Sequence, residues 1–116
     1  MVHSKAKGKR TELELVALLR EALGDASIAR NLEQARAGGA DLKGRSLRYF
    51  AVESKAEERP RWANWFRQAE AQVVGDQVPV VAQWRPNQPW RFFLVVDLRT
   101  FARFVKWTNC LKDGEV

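Results

Sequence analysis

Three side chains in the middle of the chain have the types and spacing to do chemistry: Asp41, Glu53 and Lys55. Leu47–Lys55 is short and rich in aromatic and β-branched residues, which predicts a strand. Side chains alternate across a strand, so Tyr49, Ala51, Glu53 and Lys55 share one face while Phe50 and Val52 share the other. A carboxylate and an ammonium then point the same way where the strand ends. Lys43-Gly44-Arg45 reads as a hairpin turn that returns Asp41 to the side of Glu53. Two converging carboxylates make a hard-oxygen site suited to Mg²⁺, with Mn²⁺ as a substitute. A neighbouring Lys can orient a water or neutralise charge on a phosphate. The competing account is a surface strand that ends in an ion pair.

The elements that must hold these residues follow from hydrophobic periodicity. Lys9–Leu23 is helical, with Leu15, Val16, Leu19 and Leu23 on one stripe that Leu18 and Ala22 widen. Glu12 lies at the N-terminal end of that stripe. It either complements the helix dipole in solvent or joins the acidic site. Gly24 is placed to cap the helix. Ser27–Leu32 predicts a first strand with Ile28 and Leu32 inward, and Glu33–Ala40 a loop. A second helix runs from Arg59 or Pro60 to Val74, with Trp62, Phe66, Ala69 and Val73 as its stripe. Val78–Trp84 is apolar on both faces, as a central strand is. Trp90–Val96 then pairs antiparallel to it after the Arg85–Pro89 turn. Asp97 or Thr100 caps a closing helix bearing Phe101, Phe104, Val105 and Trp107.

Composition narrows the chemistry. With 116 residues the chain is a single domain, 1–116, in which 1–8 reads as a flexible basic arm and 108–116 as a frayed tail. The lone Cys110 excludes an internal disulfide and a Cys-based zinc cluster, and the lone His3 excludes a His-rich site. Catalysis would therefore rest on carboxylates, Lys or Arg. A net charge of +6 and a pI near 10.0 point to a polyanionic partner, most simply nucleic acid. No run approaches membrane-spanning length and no dinucleotide or P-loop fingerprint occurs. The expectation is a cytoplasmic protein with no membrane partner and no nucleotide cofactor.

Asp41…Glu53-Ser54-Lys55 resembles the core motif of the PD-(D/E)xK nuclease superfamily, with Ala40 where a Pro is usual. The order Gly8-Lys9-Arg10-Thr11-Glu12, followed by an apolar helix, is similar to the opening of archaeal-type Holliday junction resolvases. Leu13 stands where that family is often basic, and Glu14 is the alternative to Glu12 if the helical register shifts. Val78-Pro79-Val80…Trp90-Arg91-Phe92 continues the likeness, which spans roughly residues 7–105. The family's Ser-containing loop is replaced here by Gln34, Arg36, Gly38 and Gly39.

The resemblance implies an α/β fold with a restriction-endonuclease-like core, a central mixed β-sheet of about five strands flanked by helices. It implies catalytic Glu12, Asp41, Glu53 and Lys55. A metal would be held by Asp41, Glu53 and the Ser54 backbone carbonyl, with Glu12 direct or through water. Lys9, Arg10, Arg30, Lys43, Arg45 and Arg61 would contact DNA. The implied activity is a Mg²⁺-dependent endodeoxyribonuclease, a homodimer that cuts four-way junctions by paired symmetric nicks in recombination and repair. Trp84, Trp90 and Trp107 fit a surface that pairs and equally fit a filled core. Rival expectations are a repair or phage nuclease acting on flaps or single strands, a non-catalytic basic nucleic-acid-binding module, and an interaction domain whose acidic residues only form ion pairs.

Overall fold

The computed structural model describes residues 4–34, 38–57 and 59–112, with side chains from residue 8 onward. His3, Arg36 and residues 113–116 lie outside the described residues. The chain is a mixed α/β protein in the order α1 (Ser4–Leu23), β1 (Ala29–Arg30), β2 (Leu42–Lys43), a 3-10 turn (Arg45–Leu47), β3 (Phe50–Lys55), α2 (Trp62–Ala71), β4 (Val78–Gln83), β5 (Arg91–Leu94) and α3 (Leu98–Lys112).

Val78–Gln83 is the middle strand, as its apolar run requires. It pairs parallel to β3 in the register Phe50↔Val78 to Lys55↔Gln83, and antiparallel to β5 from Val80↔Leu94 to Gln83↔Arg91. The parallel pair needs a crossover, and α2 supplies it. β1 and β2 form a separate antiparallel ribbon, Ala29↔Lys43 and Arg30↔Leu42. Among the described residues the strands therefore divide into sheets of three and two. One backbone bond ties the ribbon to the outer edge of β3, from Asp41 N–H to the Val52 carbonyl at 3.1 Å.

The pleat of the sheet separates two cores. Val52, Val80 and Ala82 pack with Leu15, Val16 and Ile28 under α1. Val81 packs on the other face with Trp65 and Ala69 of α2, flanked by Trp62, Phe66 and Phe93. Trp62 stands edge-on to Phe93 with ring centroids 4.5 Å apart, a favourable aromatic geometry.

Several expectations change in detail. The strand starts at Phe50, because the 3-10 turn takes up Arg45–Leu47 and leaves Tyr49 outside the sheet, 60% exposed. Lys43-Gly44-Arg45 consequently links the ribbon to that turn and is not a hairpin between β2 and β3. On α1 only Leu15, Val16 and Leu19 reach the core; Leu18, Ala22 and Leu23 are exposed, since the helix packs on β1 and β3 and its last turns overhang them. Leu32 also turns to solvent past the end of β1. The centre of α2 is Trp65, fully buried, one position from the expected stripe, and Val73 falls beyond the helix end. Residues 4–8 belong to α1 and 108–112 to α3, so helix replaces part of the expected arm and tail. Gly24 does end α1 with a left-handed φ of 59°. The Asp97 side chain accepts the Thr100 N–H at 2.8 Å to cap α3.

Candidate functional site

The site forms where β3 leaves the sheet. Val52 and Ser54 both turn their backbone polar groups toward the ribbon, since alternate residues of a strand face the same edge. Asp41 takes up both. Its N–H binds the Val52 carbonyl, and its Oδ2 accepts the Ser54 N–H at 2.8 Å. A strand residue presents N–H and C=O along one edge, so the Ser54 carbonyl lies on the Asp41 side of β3. Lys55 carries its carbonyl the other way, to the N–H of Trp84 at 2.7 Å.

Gln34 holds the second carboxylate oxygen. Its amide Nε2 donates to Asp41 Oδ1 at 3.0 Å and to the Gly39 carbonyl at 3.1 Å. Both Asp41 oxygens are thus oriented while lone pairs stay available, because each carboxylate oxygen can accept more than one partner.

Glu53 is 5% exposed, and its Oε1 is buried without a hydrogen-bond partner. Burial above all, then the negative charge of Asp41, push its carboxyl up to about 8. The Lys55 ammonium opposes the rise and the charge of Glu12 adds to it. A buried carboxyl oxygen with no donor, next to a second carboxylate, is relieved by a proton, as the raised value reflects, or by a cation that takes the proton's place. The donor set of Asp41, Glu53 and the Ser54 carbonyl is all oxygen and fits Mg²⁺ or Mn²⁺. Among the described residues, no group of three or more His, Cys, Asp or Glu side chains converges as a ready metal cluster. The carboxylates of such a site number two here.

Lys55 lies on the same face as Glu53, as the strand alternation predicts. Its Nζ donates to Oε1 of Gln68 on α2. Glu12 sits in the interior of α1, not in its first turn, because the helix begins at Ser4. Arg30 of β1 holds it in an ion pair at 2.8 Å, with both side chains partly buried. Glu12 therefore stands near the site electrostatically but is committed to Arg30.

The cations expected on DNA are dispersed. Lys9 and Arg10 are exposed on α1, and Lys43 is exposed on β2. Arg45 is exposed with its N–H bound to Ser27 Oγ at 2.9 Å, in the turn that precedes β3. Arg61 precedes α2 and pairs with Glu57 at 3.1 Å. Sequence reasoning placed Gln34 in the Gly-rich loop before Asp41 but gave no site role to it, to Gln68 or to Gln83. Gln83 also leaves a trace in the sequence, a polar residue closing an otherwise apolar central strand.

In comparisons with protein-family models and with curated proteins, the chain finds no match.

Proposed function

We propose that this chain is a divalent-metal-dependent DNA endonuclease that resolves four-way junctions, acting as a homodimer with one active site per cut strand. One observation carries the nuclease assignment: the partnerless buried Oε1 of Glu53 beside Asp41, at the strand end that bears Lys55. The preference for junctions rests on the resemblance of residues 7–105 to archaeal-type resolvases and on the net charge of +6. The two-stranded ribbon, tied to β3 through Asp41, would extend the three-stranded sheet toward the five-stranded restriction-endonuclease-like core. Its place of work would be DNA in the cytoplasm.

Asp41, Glu53 and the Ser54 carbonyl would hold Mg²⁺. When bound, the ion supplies Lewis-acid polarisation of a phosphoryl oxygen and makes hydroxide available at neutral pH. The chain itself provides the positioning. Gln34 and the Ser54 N–H keep the Asp41 carboxylate fixed. Lys55 offers an ammonium where negative charge accumulates on the scissile phosphate, and Gln68 Oε1 accepts a hydrogen bond from one of its three N–H groups, leaving two to face substrate. Recognition is through phosphates and junction shape, with little reading of base edges.

The test is cleavage of a synthetic four-way junction beside flap, linear duplex and single-stranded controls, with Mg²⁺ and with EDTA. Paired symmetric nicks confined to the junction are expected. EDTA should abolish them, and Asp41→Asn should slow them by on the order of 100-fold or more. Preferential cutting of flaps or single strands would retain the active site and reassign the substrate. Binding of DNA without metal-dependent cleavage of any substrate would reject the enzyme.

A further inference from the structure

At the end of the sheet, Lys55, Gln83 and Arg91 occupy one transverse row, through the pairs Lys55↔Gln83 and Gln83↔Arg91. Directly paired strand residues project on the same face, so the row lies on the face that carries Glu53. Two strand spacings separate Lys55 from Arg91, roughly 10 Å.

Gln83 is 1% exposed, an unusual burial for a side-chain amide. It is anchored at both ends. Its Nε2 reaches the Glu57 carbonyl at 3.5 Å, and its Oε1 accepts from Arg91 Nη2 at 2.7 Å. The Arg91 guanidinium also lies over the Phe93 ring, 5.2 Å from its centroid. Arg91 is nevertheless exposed, and among the described residues no carboxylate pairs with it. A guanidinium has five N–H donors, and the bond to Gln83 uses one. The rest form a planar fork, held in orientation and facing solvent beside the proposed active site. Planar, charge-assisted, two-pronged binding is how Arg takes phosphate.

We infer that Arg91, held by Gln83, is a phosphate-gripping site for the DNA strand next to the scissile bond. The inference rests on the nuclease assignment above and extends it by naming where a flanking phosphate sits. A purely structural Arg91, serving only to satisfy Gln83, is the rival account.

Binding read without catalysis separates the two. A fluorescently labelled four-way junction and a labelled linear duplex are titrated in EDTA by anisotropy across a salt series. The proteins are the wild type, Arg91→Ala, Arg91→Lys and Arg99→Ala; the last removes one equal charge from α3. The expectation for Arg91→Ala is about a tenfold weaker Kd and a salt slope smaller by about one. Arg91→Lys should keep the slope and lose part of the affinity, since it keeps charge without the fork. Arg99→Ala should match the wild type. Unchanged affinity and slope in both Arg91 variants, with normal wild-type binding, would overturn the grip and leave the nuclease assignment standing. Failure of the wild type to bind either DNA would reject that assignment, and the grip with it. If Arg91→Ala misfolds by circular dichroism, the Arg91→Lys affinity decides: a value equal to the wild type overturns the proposal.

Discussion

A carboxyl group that is 5% exposed and faces a second carboxylate gives up its proton only at a free-energy cost. For Glu53 the folded value is about 8 against an ordinary 4.5, so folding favours the protonated form. Its contribution to stability is full below pH 4.5 and is lost as pH rises through about 8. The metal-free protein should therefore melt at lower temperature on the alkaline side of that window. Glu53→Gln should remove the dependence and gain a few kcal/mol, roughly 2–4, above pH 8 without metal. Thermal melts of both proteins across that range, with and without Mg²⁺, check it. An unchanged pH profile in the variant would contradict the burial argument. Gln68 makes a second prediction at this scale. It touches the Lys55 ammonium and none of the metal-holding oxygens, so Gln68→Ala should lower kcat by on the order of tenfold with KM nearly unchanged. A rise in KM alone would assign it to DNA binding.

Elements hold these residues in place, and two positions show how tightly. Trp65 anchors α2 on the sheet with no exposure, and Trp65→Ala should cost about 3–5 kcal/mol in urea denaturation. Gly44 lies where the ribbon crosses Ile28. A Cβ there would stand 2.8 Å from the Ile28 Cγ1 and 2.9 Å from its Cα. Backbone cannot yield as a flexible side chain does, so Gly44→Ala should cost about 1–3 kcal/mol. Much of this level was legible in the sequence. The apolar run Val78–Gln83 is a central strand because both of its faces are covered. The spacing of Glu53 and Lys55 puts them on one face by simple alternation. What could not be read was tertiary in origin. Trp62, Phe66 and Ala69 of the expected stripe do pack on the sheet, but α2 centres on Trp65 because the sheet beneath it fixes the helix rotation. Similarly, Asp41 reaches Ser54 without a β2–β3 hairpin: β2 pairs with β1, and the 3-10 turn reroutes the chain. Gln34 and Gln68 left no periodic signal, since a loop or exposed-helix glutamine looks the same whether or not it touches a functional side chain.

For the molecule as a whole, the excess of cations sets how it meets DNA. With a net charge of +6 on a body about 53 × 31 × 29 Å, association should weaken steeply as salt rises. A flat salt dependence would remove the electrostatic basis for DNA as partner. One acidic group serves architecture instead. Asp25 accepts the Ser27 N–H and Oγ–H at 2.9 and 2.6 Å and the Ser46 N–H at 2.8 Å. Those bonds, led by the Ser27 hydroxyl, hold its carboxyl well below the ordinary 3.8. The stability it adds is present above that value and fades as the solution is acidified below it. Asp25→Ala should lower the melting temperature at neutral pH and flatten this acid-induced loss.

The closing helix differs from α1 and α2, each of which buries residues in the core. None of its residues is buried, and Leu98, Phe101, Val105, Trp107 and Leu111 all face outward. By contrast, β4 is paired on both sides and covered on both faces. A helix that shares so little of the core can open without the core opening. In deuterium, the α3 amides should exchange through small local openings, while those of Val80–Gln83 wait for global unfolding. A protease that cuts after basic residues should nick at Arg99, Arg103 or Lys106 before it reaches the sheet. Gln83 belongs to that slow-exchanging strand, and through its bond to Arg91 Nη2 it would hold the guanidinium in place before DNA arrives.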